Sequence, residues 1–316
     1  MAGLTRGHGD APGPGCDPRA IVTSSSSTAR WDSRPGTEQD AVNAGPVTEP
    51  SMWALDRAVA LHPEGEGWSG QVPPHWTPNG AAHGGVLFAL LVNGIQRIAP
   101  HPHPLSATAH YLRPTAAGPV QVTAHVARSG RAHATVEATL SQHDRPCVRA
   151  LAVVGTLPAE PACTELRPPP LPAPDACTSI APRTHDGFMP RDYPHDLDIR
   201  LDPQVGWLHG EPGGRAEIAG WGRLSDGRPQ DLVSLALMAD AFPPPIFDVV
   251  PTTYVPTLEL TVHVRGIPSG QWVRGQFGSK AFNQPYVEED GVLWDEHGRL
   301  VAMSRQLAVV NQRDPA

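Results

Sequence analysis

The chain has 316 residues, enough for two domains that each bury a core. Its formal net charge is −8 and Lys280 is its only lysine. No basic run is available to neutralise phosphates, which argues against nucleic acid or an anionic membrane surface as a partner. The four cysteines, Cys16, Cys147, Cys163 and Cys177, show no CxxC or Cys/His metal spacing, so free thiols in a reducing compartment are expected.

In chain order, residues 1–48 are rich in Gly, Pro, Ser and Thr and lack apolar periodicity. Such a segment cannot offset its ordering entropy and reads as a disordered tail. A first domain is expected over 49–157. Trp53–Leu61 and Gly67–Val72 read as strands, and Pro78-Asn79-Gly80 as a turn. A glycine-led helix then runs from His83-Gly84-Gly85 to about Ile98, apolar all round and therefore surrounded by protein. Four strands follow, Ser106–Leu112, Val120–Arg128, Ala132–Gln142 and Cys147–Gly155, separated by turn residues such as Pro114, Gly118 and Asp144. The order predicts an antiparallel sheet curled round one helix. Nowhere do ~18 apolar residues run together and no apolar signal core opens the chain, so a soluble, cytoplasmic protein without a membrane span is expected.

Residues 158–190 form a proline-rich linker, with Pro168–Pro170, Pro172 and Pro174, expected to be extended and semi-rigid. The pattern then repeats over 191–312. Strands at Leu197–Asp202 and Arg215–Trp221 precede a helix over Gln230–Phe242. Further strands are expected at Tyr254–Val264, Gln271–Phe282, Tyr286–Trp294 and Leu300–Val310.

The repetition extends to residues. His110-Tyr111-Leu112-Arg113 matches Val262-His263-Val264-Arg265 at a spacing of 152, and the turn glycines Gly118 and Gly270 keep that spacing. Val148-Arg149-Ala150-Leu151-Ala152-Val153-Val154 matches Ser304-Arg305-Gln306-Leu307-Ala308-Val309-Val310 at 156. The chain reads as a tandem duplication. The copies differ where chemistry is possible. Gln306 stands where the first copy has Ala150, and the Asp240 position falls near Asn93-Gly94.

Asp240 is the residue that most needs a reason. It lies three, four and seven residues beyond Leu237, Ala236 and Val233, on the oily side of its helix. Burying a carboxylate there costs several kcal/mol unless it finds partners or keeps its proton, and a helix C-terminus adds to the cost. A structural Asp capping the Pro243–Pro245 turn is the bland reading; a functional carboxylate is the sharper one.

A glycine-led central helix, sheets wrapped round it, and a fused second copy with Asp on its helix resemble the double hot-dog acyl-CoA thioesterases of the thioesterase II type, over residues ~50–312. The resemblance implies an α+β tandem hot-dog fold and water activated by Asp240, by a hydroxyl at Thr257 and by Gln306. Thr261 lies on the same strand face as Thr257 and periodicity does not separate them. The amides of Gly84 and Gly85, at a helix N-terminus, suit the thioester oxygen, with His83 as a further substrate contact. No metal or redox cofactor is implied. The substrate would be an acyl-CoA or acyl-carrier thioester, and further homo-oligomerisation through the sheets is compatible with the fold. Arg113 and Arg265 either contact coenzyme A phosphates or fix a turn common to both copies. A serine hydrolase lacks its GxSxG elbow here. A hot-dog dehydratase would want Asp and His at one helix start. A silent acyl-binding protein of the same fold remains the alternative from another class.

Overall fold

A computed structural model describes residues 52–159, 164–180, 194–250, 252 and 254–310. The expected tail and parts of the expected linker, 160–163 and 181–190, lie outside the described residues, as do Cys16 and Cys163. The first half contains α1 (Ala54–Ala58), β1 (His62–Glu64), β2 (Gly67–Val72), α2 (Gly84–Ile98), β3 (His103–Tyr111), β4 (Gly118–Arg128), β5 (Ala134–Gln142) and β6 (Arg145–Gly155). The second contains β7 (Thr178–Ser179), β8 (Leu197–Leu201), β9 (Glu217–Leu224), α3 (Leu232–Met238), β10 (Thr257–Val264), β11 (Val273–Gly278), β12 (Phe282–Asn283), β13 (Tyr286–Asp295) and β14 (Leu300–Val309). Strand residues alternate between core and solvent, as in β5, where Ala134, Val136, Ala138 and Leu140 point inward.

The strands form one antiparallel sheet in the order β1-β2-β4-β5-β6-β3-β10-β14-β13-β11-β9-β8-β7. Its centre is the pairing of β3 with β10, where Thr108 faces Thr261 and Ala109 faces Leu260. The 152-residue repeat exchanges these two rungs, so a local two-fold axis passes between them. The first-half strands β3 to β6 pack round α2, and α2 packs against α3, itself buried over Ser234–Met238. This is the tandem hot-dog architecture the resemblance implied.

Close helix packing explains the glycines of α2. A Cβ on Gly85 would lie 2.9 Å from the Leu237 carbonyl oxygen, and one on Gly94 would lie 2.9 Å from Val122 Cγ1. Glycine is a poor helix former, and here the gain is backbone proximity.

Three expectations need correction. Trp53–Leu61 is not a strand, because Ala54–Ala58 is a short helix. Leu55, Ala58 and Val59 are buried together at helical spacing. The helix is held from the second half, where Asp226 accepts the Ala54 N–H at 2.7 Å and the Arg228 guanidinium reaches Asp56 at 2.8 Å. The second helix is shorter than 230–242. Asp231 and Ser234 form a capping box at its start, and Ala239 is already its C-cap. The Asp240 N–H bonds back only three residues to Leu237 at 3.0 Å, which tightens the last turn ahead of Pro243. Asp240 therefore sits just past the helix. The strand expected over Gln271–Phe282 is broken after Gly278, with only Phe282–Asn283 resuming.

The linker's described part is pinned to the second half. Carbonyls of Pro169, Pro172 and Pro174 accept hydrogen bonds from Arg274, Trp221 and Arg200. No helix among the described residues is long and apolar enough to cross a membrane.

Candidate active site

A cavity of about 400 Å³ opens beside the seam between the halves. The first half contributes His83, Gly84, Leu87, Tyr111, Arg113 and Thr115; the second contributes Asp240, Phe242, Phe247, Thr257, Glu289 and Gln306. Most of the wall is apolar, and the polar groups gather where α2 begins and α3 ends.

Asp240 reaches across to the first half. Its Oδ2 accepts the Gly85 N–H at 2.6 Å and lies 3.4 Å from His83 Nδ1. The Thr257 hydroxyl lies beside the same carboxyl and favours its charged form. Burial pushes its pKa above the usual aspartate value; nearby His83, the Gly85 amide and the Thr257 hydroxyl pull it back. The α3 end opposes the anion, but the α2 start supplies the compensating donor and dipole. The carboxyl's described partners lie at the α2 start and on β10 rather than in the proline turn.

His83 is the N-cap of α2, its Nδ1 also accepting the Gly85 N–H, at 3.1 Å. That single proton is shared, with the carboxylate the nearer acceptor. Burial lowers the His83 pKa despite Asp240, so the ring is neutral near neutral pH and the 3.4 Å approach is not a full ion pair. Tyr111, on β3, donates to the Gly84 carbonyl at 3.0 Å and closes the helix entry from the other side.

The expectation of two free glycine amides is met differently at the two positions. The Gly85 N–H is taken by Asp240. The neighbouring Gly84 faces the cavity with Asp240 Oδ2 3.0 Å from where its Cβ would lie.

Thr257 and Thr261 are separated by geometry where periodicity could not do so. Thr257 lines the cavity. Thr261 lies on the seam, accepting from Thr108 at 2.9 Å and donating to Glu259 at 2.5 Å. Gln306 is buried on β14 and lines the cavity. Of the paired arginines, Arg113 is at the cavity wall and donates to the Pro146 carbonyl at 2.6 Å. Arg265 bonds the Val264 carbonyl and His263; the two fix their own strand ends differently.

Glu289 escaped the sequence reading. It is the rung partner of Gln306, and both side chains line the cavity. Its signal was its phase: Val287, Gly291 and Leu293 are buried at alternate positions of β13, and Glu289 falls in step with them. Burial, with the negative charges of Asp240 and Asp290, raises its pKa well above the usual glutamate value.

The two-fold axis supplies an internal comparison. Counting from the helix N-caps His83 and Asp231, Val92 stands in Asp240's place and Leu232 in Gly84's. On the strands, Ala150 and Ala138 form the rung equivalent to Gln306 and Glu289. Near Val92 and Leu232 the space is only about 10 Å³ and is lined by apolar side chains, Pro104 among them. One half-site is open and polar; its mate is filled. No cluster of three or more metal-ligating side chains occurs among the described residues.

Comparison with known proteins agrees with this architecture. Residues 72–155 match the acyl-CoA thioesterase N-terminal domain and residues 172–310 the acyl-CoA thioesterase C-terminal domain. The chain belongs to this acyl-CoA thioesterase family. An uncharacterized protein of Mycobacterium tuberculosis is 27% identical over 266 residues, 77% of this chain and 90% of that protein. A suggested thioesterase II from Thermobifida fusca superposes with a TM-score of 0.76 at 27% identity, covering 83% of this chain and 99% of that one. A hot-dog protein of unknown function from Alicyclobacillus acidocaldarius shares the fold, with a TM-score of 0.71 at 23% identity over 84% of this chain and 100% of that one.

Proposed function

We propose that this protein hydrolyses acyl-CoA thioesters to the free acid and thiol, with water activated in the cavity between its halves. The observation that carries this reading is the convergence of Asp240, Thr257 and Gln306 on one open cavity whose two-fold mate is closed by apolar residues. Asp240 is the base. Burial raises its basicity, while the Gly85 amide and Thr257 keep it ionisable near neutral pH. Thr257 and Gln306 hold a water against it. The water oxygen bonds the thioester carbonyl carbon as its proton passes to Asp240. The resulting oxyanion faces the start of α2, where the Gly84 amide and the helix dipole stabilise it. Collapse of the oxyanion breaks the C–S bond, and the thiolate takes the proton back from Asp240. Leu87, Phe242 and Phe247 offer the acyl chain an apolar wall.

The test is release of free thiol from acyl-CoAs of short to long chain by the wild type and Asp240→Asn. Turnover that falls by about 10²–10⁴-fold in the variant, the usual loss of a general base, is expected. Equal rates remove Asp240 from the mechanism. Absence of turnover at every chain length leaves a silent acyl-binding protein, which equilibrium binding of a non-hydrolysable acyl thioether then identifies.

A further inference from the structure

The half-buried carboxyl of Glu289 has no place in the mechanism above, yet it lines the same cavity. It sits beside Gln306 on the neighbouring strand. It forms no hydrogen bond or ion pair among the described residues; burial and the charges of Asp240 and Asp290 are what act on it. Its outward neighbour Asp290 is held by Arg305 through two hydrogen bonds of 2.7 and 2.8 Å on the outer face. That cation is therefore engaged elsewhere. The fold does not require a carboxyl here, since the equivalent rung of the first half is Ala138 beside Ala150.

Two carboxyls thus share one cavity with unequal support. Asp240 has the Gly85 amide and the Thr257 hydroxyl. Glu289 has no donor. When like charges compete in a confined site, the better-supported group keeps the charge and the other keeps the proton.

We propose that Asp240 and Glu289 act as a pair carrying one negative charge, with Asp240 the carboxylate that activates water and Glu289 a neutral acid beside Gln306 that positions the water-holding set. This rests on the hydrolytic reading of the cavity and extends it. Glu289 is a positioning residue: its O–H donates into the group formed by Gln306 and the water, and its neutrality keeps the second charge out of the cavity. Protons balance, since the one removed from water goes to Asp240 and returns to the thiolate, while Glu289 keeps its own throughout. Ionisation of Glu289 sets two carboxylates in one cavity and disorders the water. The other titratable groups around the pair are His83 at the α2 cap, Arg113 at the cavity wall, Tyr111 on β3, Glu259 on β10 and Asp290 on β13, with Arg113 turned to the Pro146 carbonyl. His83 is neutral by burial, Tyr111 is raised well above its usual range, Glu259 is bound to Thr261, and Asp290 is bound to Arg305.

The experiment compares kcat/KM against pH for the wild type, Glu289→Gln and Glu289→Leu. The wild type should fall on the alkaline side as Glu289 ionises. Glu289→Gln, which keeps a neutral donor, should lose that fall while staying well within the hundredfold expected for loss of a general base. Glu289→Leu should lose turnover at all pH values while remaining folded by circular dichroism. An unchanged alkaline limb in Glu289→Gln overturns the proposal.

A second readout is independent of turnover: infrared difference spectroscopy of the protonated-carboxyl stretch removed by Glu289→Gln. The pH at which it disappears should drop by more than about one unit in Asp240→Asn, the scale of strongly interacting sites. No drop refutes the pair even if hydrolysis is established. A drop without hydrolysis refutes the mechanism while the charge-sharing pair stands.

Discussion

Gly85→Ala tests whether the position of Asp240, rather than the general soundness of the fold, controls turnover. The new methyl would meet the Leu237 carbonyl oxygen at 2.9 Å and Asp240 Cβ at 3.1 Å, where ordinary contact begins at 3.4 Å. The Leu237 oxygen is not free to yield, since it accepts the Asp240 N–H at 3.0 Å. Relief therefore separates α2 from α3 by some tenths of an ångström and carries the carboxylate away from the Gly85 amide. Overpacking of this kind costs about 1–3 kcal/mol, against which alanine returns roughly 0.5–1 kcal/mol of helix propensity. The expected net loss is ~1–2 kcal/mol, read from the urea midpoint. A 1 Å misplacement costs on the order of 10²-fold in rate, so a smaller shift should lower kcat by about 10-fold or somewhat more. Gly94→Ala is the matched control. Its methyl would meet Val122 Cγ1 at 2.9 Å, far from Asp240 on the same helix, so it should lose similar stability and keep its kcat. Wild-type turnover in Gly85→Ala, or equal losses of kcat in both variants, would refute the reasoning.

Thr257→Val should lower kcat by about 10-fold or more, because a hydrogen bond to a charged group contributes roughly 1.5–3 kcal/mol. Thr261→Val should leave kcat unchanged and cost about 0.5–1.5 kcal/mol of stability through the seam bond with Thr108; the reverse pattern in thiol release would exchange their roles. Arg228→Met removes the clip between Asp56 of α1 and Asp231 at the α3 cap. A loss of about 1–3 kcal/mol in chemical denaturation is expected rather than more, since both carboxylates are partly exposed and can hydrate once freed. Glu289→Gln should raise the melting temperature at neutral pH but not in acid. The folded protein holds this proton to higher pH than the unfolded chain, so native stability falls as pH rises from the ordinary carboxylate range through the raised folded value. Calorimetry showing the same difference in acid and at neutral pH would sink that assignment.

Periodicity and local chemistry were sufficient for what a segment decides by itself. The all-round apolar Gly84–Ile98 identified a surrounded helix, and the alternation of β4 to β6 identified strands, because side-chain phase follows directly from backbone geometry. The duplication was legible because both halves keep matching strand ends at Arg113 and Arg265. Trp53–Leu61 was misread because its apolar residues suit either period, and the deciding contacts come from Asp226 and Arg228, more than 170 positions away. Asp240 could be singled out as costly, but its compensation at Gly85 is 155 residues distant and exists only once α2 meets α3. The position of Thr257 rather than Thr261 at the cavity, the engagement of the Gly85 amide and the presence of Glu289 beside Gln306 were all set by tertiary structure. Sequence spacing fixes which face a residue occupies; which cavity that face encloses depends on the other half of the chain.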